Sequence, residues 1–216
     1  MRAARFWAPL DVRVEDVAEP TPGPGEVVVA VEAALTCGTD AKCFLRGHPV
    51  LLGDARPAPF GHEYAGVVAA VGDGAPFAVG DRVCGANSAP CGLCEACRRD
   101  REELCERLLP LLNGAYAELL LVPARIAARN LRHVPEGVPT EVAAAVEPRA
   151  CAVHAADDAG AAPGVHVGVL GRGPLGRLVA HACASRGATY DLLGRDEGEP
   201  RGYDVVVEAA GTVEAW

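Results

Sequence analysis

The sequence predicts an α/β chain in two parts: a β-rich N-terminal domain, then the opening of a doubly wound α/β domain. Three observations predict it. From residue 1 to about 135, short β-type runs alternate with Gly and Pro punctuation: EVVVAVEAAL, EYAGVVAAVG, DRVCG and AYAELLLV. From 140 to 160, TEVAAAVEPRACAVHAADDAG changes to an Ala-rich helical composition with a Thr start and a Gly stop. After it, VHVGVLGRGPLGRLVAHACASRGATYDLLGRD reads as strand, glycine turn, helix and strand. The change of pattern assigns residues 1–146 to the first domain and 147–216 to the second.

Taken in order, the N-terminal MRAARFWAPLDVRVEDV opens on basic residues but reaches an acid at Asp11, so it lacks the apolar run of a signal peptide. No segment approaches the ~18 uninterrupted apolar residues that span a bilayer. The expectation is a soluble, cytoplasmic chain without a membrane partner, its thiols kept reduced. A net charge of -9, with acids and bases interspersed, lacks the clustered basic stripe of a nucleic-acid surface. Within the Ala-rich stretch, Pro148 is expected to kink or break the helix, because it removes a backbone donor and crowds the preceding turn.

The run PCGLCEACRRDREELCE holds four of the nine cysteines, Cys91, Cys94, Cys97 and Cys105. In a reducing compartment this spacing reads as a four-cysteine zinc site, since short gaps let one loop gather its sulfurs to ~2.3 Å from an ion. An iron–sulfur cluster is the nearest rival, but ferredoxin-type runs place Pro after the last Cys. The charges of RRDREE suit a solvated lobe. Four thiolates leave no open coordination position, so this site would brace structure and perform no chemistry.

The glycine turn is Gly171-Arg172-Gly173-Pro174-Leu175-Gly176, with an apolar strand before it and a helical pattern after it. Gly171 would allow the tight turn, Gly173 the approach of backbone to a pyrophosphate, and Gly176 the packing of helix on strand. The phosphates would face the helix N-terminus. A glycine-rich loop without a ligand is the bland alternative. Two further stretches, Cys37-Gly38-Thr39-Asp40 and Gly61-His62-Glu63, offer a thiolate, an imidazole and a carboxylate from separate loops. Each is weak alone; their order, with the four-thiol lobe and the glycine turn, joins them.

With those motifs in hand, the sequence resembles the zinc-containing medium-chain alcohol and polyol dehydrogenases over essentially its whole length. The likeness rests on C-G-T-D, G-H-E, VGDRV at Val79 to Val83, the four-thiol lobe, Glu147-Pro148 and G-x-G-P-x-G. It implies a GroES-like catalytic domain followed by a partial Rossmann domain. It also implies that Cys37, His62 and Glu63 occupy catalytic-zinc positions, that Glu147 ligates or approaches that metal, and that Thr39 hydrogen-bonds the substrate alcohol. The implied partner is a small-molecule alcohol or polyol, and a homo-oligomer stays open. Zinc takes S, N and O ligands and, with one position open, acts as a Lewis acid on an alcohol that gives its hydride to nicotinamide.

The sequence also departs from that pattern. Many relatives carry His five residues after the catalytic Cys, where this chain has Lys42, a residue that also reads as a plain solvated side chain. Nineteen residues past Gly176, Gly194-Arg195 stands where an acid normally holds the ribose hydroxyls, so NADP is favoured over NAD; Asp196 next door would reverse that choice. Eight residues separate Arg195 from the run Asp204 to Ala209, too few for the helix, strand and helix that relatives place there. That run is expected either to cross over and pair parallel or to form an antiparallel hairpin turning at Gly198 to Gly202. The second functional expectation is accordingly a truncated, catalytically inactive zinc-binding relative or gene fragment.

Overall fold

The structure, a computed structural model, describes residues 1–48, 52–108, 111–194 and 202–211. It divides into two compact units, Met1–Val146 and Glu147–Trp216.

The first unit is built on a five-stranded antiparallel sheet. Its two long central strands, β3 (Val27–Leu35) and β5 (Glu63–Val71), pair from Val27↔Val71 to Leu35↔Glu63. Both are rich in β-branched Val, which suits a pleated, buried surface. Where β3 and β5 cross most closely there is room only for glycine: a Cβ on Gly66 would stand 2.0 Å from the Ala30 carbonyl oxygen. β6 (Arg82–Gly85), β7 (Leu119–Val122) and β8 (Leu131–His133) complete the order β7-β3-β5-β6-β8. One face of this sheet buries Val27, Val29, Tyr64, Val68, Val83 and Leu131 against Ile126 of helix α3 (Ala124–Arg129). At about 1.5–3 kcal/mol for each large apolar side chain, this cluster dominates the stability of the unit.

The N-terminal stretch, read from sequence only for its lack of a signal peptide, forms an antiparallel hairpin of β1 (Arg2–Ala8) and β2 (Asp11–Asp16). Its turn sets Leu10 at φ 66 and contains no glycine, which is why the usual hairpin signal is missing. β1 also pairs with the short β4 (Ala58–Pro59). Phe6 of β1 lies at 6.1 Å from Phe60, centroid to centroid, and joins a second apolar cluster with Cys43 and Leu52. Cys43 belongs to helix α1 (Gly38–Arg46), so this cluster seats the helix that begins beside Cys37.

The zinc-type lobe carries helix α2 (Glu95–Arg98) and a 3₁₀ turn, Glu102–Leu104. Arg125 ties it to α3 by donating to the carbonyls of Arg107 at 2.8 Å and Leu108 at 3.4 Å. Farther on, the Ala-rich stretch forms two helices, α4 (Thr140–Ala143) and α5 (Val146–Asp158). The break expected at Pro148 lies upstream of it. Pro148 falls in the first turn of α5, where a missing backbone N–H costs nothing.

The second unit is a three-stranded parallel sheet, β9 (His166–Leu170), β10 (Thr189–Leu193) and β11 (Val205–Glu208), in the order β10-β9-β11. Helix α6 (Pro174–Ser185) connects β9 to β10. β11 pairs parallel to β9, with Val205↔Val167 through Glu208↔Leu170, which excludes the hairpin alternative. Val167 and Val169 of β9 pack with Val179, Ala180 and Cys183 of α6 and with Ala152 and Ala156 of α5. Among the described residues no helix is long and apolar enough to cross a membrane.

Candidate functional site

Four sulfurs meet in the lobe. One ligand atom from each of Cys91, Cys94, Cys97 and Cys105 lies within 4.8 Å of the others, and three of the four residues are buried. The Cys94 and Cys97 sulfurs are 3.5 Å apart and those of Cys94 and Cys105 4.0 Å, too long for a disulfide. A tetrahedron with ~2.3 Å arms has edges of about 3.8 Å, so these separations fit a zinc-sized ion. Backbone N–H groups of Leu93 and Cys94 donate to the Cys91 sulfur and those of Cys91 and Arg107 to the Cys105 sulfur. The bonds from Leu93 and Cys94 bring the Cys91 thiol down to about 6. Burial and the neighbouring thiols push Cys97 up to about 12. Four thiols this close can all ionise only around a cation, and the donor set fits one.

The second cluster draws on two segments, one at the start of α1 and one at the start of β5. Cys37 caps α1: its sulfur accepts the Thr39 N–H at 3.4 Å, and its own N–H donates to Asp40 Oδ2 at 3.0 Å. His62 and Glu63 stand where the chain enters β5, 5% and 4% exposed. Alternation along the strand sends Glu63 to the face opposite Tyr64, which fills the core. The ligand atoms of Cys37, His62 and Glu63 lie within 4.8 Å of one another. His62 Nδ1 is 3.0 Å from Asp40 Oδ1, with both side chains buried. Burial alone would lower the His62 pKa, but Asp40 and Cys37 outweigh it and raise it to about 10. His62 in turn draws the Cys37 thiol below its ordinary value, against burial and with help from Thr39. A thiol, an imidazole and a carboxylate converging in a buried place suit a borderline-soft divalent ion, whose binding displaces the protons.

Asp40 was part of a quoted motif but was given no role by sequence reasoning, and Tyr116 was not singled out. Asp40 is 2% exposed and takes donors on both oxygens, including the Tyr116 hydroxyl at 2.8 Å. Burial raises its pKa, while His62, the Cys37 N–H and Tyr116 bring it below the usual value. The signal for Asp40 was its place three residues after Cys37, the spacing of a capping box. Thr39 is half-buried beside Cys37, and Lys42 is exposed. Glu147 lies in the second unit, in the first turn of α5, with its Oε1 3.5 Å from the Cys151 sulfur.

At the glycine turn each Gly has a separate reason to be Gly. Gly171 has φ 115, and a Cβ there would lie 2.8 Å from the backbone of Ala209 and Ala210 just past β11. Gly176 would place a Cβ 1.8 Å from the Gly171 carbonyl oxygen. Nothing lies within 4 Å of the Cβ position on Gly173, so the backbone is open to a close neighbour there. Gly173 is the N-cap of α6 and Pro174 its first residue; among the described residues no side-chain cap bond forms there. Leu175 is exposed and Gly176 buried. β9 is flanked by β10 on one side and β11 on the other, so the strand order reverses where Gly171 leaves the sheet. Doubly wound sheets bind their ligands at such a switch point, and the open cradle fits a dinucleotide. Arg195 lies outside the described residues.

Residues 23–135 match the alcohol dehydrogenase GroES-like domain family. The L-threonine 3-dehydrogenase of Stenotrophomonas maltophilia (strain K279a) is 35% identical over 179 residues, covering 81% of this chain and 51% of that protein. The chain spans about half the length of the curated relatives it matches. Among solved structures, the alcohol dehydrogenase TADH from Thermus sp. ATN1 superposes with a TM-score of 0.76 at 34% identity, over 90% of this chain and 57% of that one. The short chain alcohol dehydrogenase rspB of Escherichia coli CFT073, complexed with the cofactor NADH, gives a TM-score of 0.77 at 28% identity, over 98% and 63%. The fold, a sheet-rich GroES-like unit followed by part of a Rossmann unit, and the match over residues 23–135 make this chain a member of the alcohol dehydrogenase GroES-like domain family.

Proposed function

We propose that this chain supplies the metal-binding and dinucleotide-binding parts of a zinc-dependent dehydrogenase that moves hydride between a small-molecule alcohol or polyol and NAD(P). The observation that carries this reading is the buried convergence of Cys37, His62 and Glu63, held in one chain with the open turn at Gly173. Zinc, when bound, supplies a Lewis acid for the substrate oxygen, and the dinucleotide takes up the hydride. Cys37, His62 and Glu63 hold the ion. Thr39, beside Cys37, carries the hydroxyl proposed to accept the substrate proton and pass it outward. Asp40 keeps the His62 imidazole in the tautomer that ligates through Nε2. Cys91, Cys94, Cys97 and Cys105 hold a second zinc that braces the lobe. The donor set at Cys37, His62 and Glu63 favours this reading over that of an inactive relative.

The turn Gly171, Gly173, Pro174, Leu175 and Gly176 receives the pyrophosphate, and Arg195 the 2′-phosphate of NADP. Arg195→Asp is expected to weaken NADPH at least tenfold and to spare NADH, read by fluorescence titration of both. Tighter binding of NADH than NADPH by the unaltered protein would instead assign the ribose contact to Asp196. For the reaction itself, purified protein with its zinc content measured is offered a panel of alcohols and polyols with NAD and NADP. Turnover that disappears in Cys37→Ala, together with one zinc, is the expected result. Turnover that Cys37→Ala retains, or protein that takes up no ion at Cys37, His62 and Glu63, would defeat the reading.

A further inference from the structure

Tyr116 belongs to neither metal cluster, yet it touches every segment that carries a ligand of the second one. Its hydroxyl is 2.8 Å from Asp40 Oδ2 and 2.9 Å from the Leu35 carbonyl at the end of β3, two residues before Cys37. Its backbone N–H donates to the Phe60 carbonyl at 3.0 Å, and those of Gly114 and Ala115 to the Gly61 carbonyl at 2.8 and 3.0 Å. The segment ending at Tyr116 therefore straps down the two residues before His62. Its ring meets Phe60 edge-on at 5.5 Å and covers Gly61 so closely that a Cβ there would stand 2.6 Å from it. Gly61 also has φ 87, so both the ring and the backbone require the glycine of G-H-E.

The Asp40 carboxylate accepts the Cys37 N–H on Oδ2 and faces His62 Nδ1 with Oδ1. At 2% exposure this carboxylate loses a donor that solvent does not readily replace when the phenol is removed, and the Cys37 N–H and His62 that remain hold it less firmly. We propose that Tyr116 is a positioning residue for the metal ion at Cys37, His62 and Glu63: its hydroxyl, seated beside the end of β3, donates its one proton to Asp40 and holds that carboxylate on His62 Nδ1, so that His62 is left with Nε2 as its ligating nitrogen. The inference rests on the reading of that trio as a metal site.

The test titrates Zn²⁺ into metal-depleted protein against a competing chelator, and repeats the titration with Co²⁺ while following its visible spectrum. The wild type is compared with Tyr116→Phe, which keeps the ring on Gly61, and with Tyr116→Leu, which does not. Tyr116→Phe is expected to keep the lobe ion and the wild-type melting temperature but to bind the second ion about tenfold more weakly, in the range of outer-shell partners. Its second-site cobalt spectrum is expected to shift. Tyr116→Leu is expected to weaken the second ion further. Second-ion affinity in Tyr116→Phe within about twofold of wild type overturns the inference, even if Tyr116→Leu falls, because the ring alone then does the work. Wild-type protein that takes up only the lobe ion sinks the metal-site reading and the inference with it.

Discussion

Purified protein is expected to carry two zinc ions per chain, and Cys97→Ser only one. Cys97 is 8% exposed, and its sulfur lies 3.5 Å from that of Cys94. A serine there leaves three thiols around an ion that needs four donors, with a hydroxyl too short and too hard to substitute for a thiolate. The lobe has few other contacts to hold it: its apolar cluster is the cysteines themselves with Ala96 and Leu108. Structural metal is among the few single features whose loss costs about 4 kcal/mol or more, which lowers a melting temperature by roughly 8 to 16 °C in a chain of this size. Elemental analysis and a thermal melt read both effects. A variant that keeps two zinc ions and its melting temperature would show that Cys97 does not hold the lobe ion, and wild-type protein without zinc would overturn both metal sites.

Gly176→Val is expected to abolish binding of NADH and NADPH while leaving both zinc ions in place. The new Cβ would stand 1.8 Å from the Gly171 carbonyl oxygen, and neither backbone can yield. Gly171 is itself held at φ 115 against the chain that follows β11. The first turn of α6 must therefore swing off β9, which moves the helix N-terminus away from where a pyrophosphate is cradled. Misplacement by about 1 Å is enough for a hundredfold loss in a positioned site. Val179, Ala180 and Cys183 of α6 lose packing against Val167 and Val169 of β9, so the second unit also melts earlier. The zinc ions are spared because the cysteines, His62 and Glu63 sit in a separate unit with its own core. Gly173→Ala makes the contrast. Its Cβ meets nothing within 4 Å, so the variant is expected to fold like wild type and still bind dinucleotide poorly. Unchanged affinity in both variants, measured by fluorescence titration, would remove the turn from the site.

The parts that were legible in the amino-acid sequence are those whose determinants sit close together along the chain. The four lobe cysteines fall within fifteen residues, and the glycine turn within six, so spacing alone carries the geometry. The two long central strands were legible for the same reason, through their Val-rich runs and glycine ends. The β1–β2 hairpin was not, because its turn has no glycine and its strands carry charges along their length. Pro148 was misplaced as a helix breaker since local rules do not say where a helix starts, and the helix begins two residues before it.

What only the tertiary structure decided are the pairings across long stretches of chain. The sequence by itself determined that Cys37, His62 and Glu63 carry donor atoms in separate loops; folding brought those atoms within 4.8 Å. It placed Asp40 beside His62, 22 residues away, and Tyr116 beside Asp40, 76 residues away. No periodicity or spacing encodes a hydrogen bond between residues so far apart, and the ring of Tyr116 packs on Gly61 whether or not its hydroxyl has a partner. The choice of a parallel β11 over a hairpin was open for the same physical reason. The chain from Arg195 onward was long enough for either, and only the folded structure pairs β11 parallel to β9.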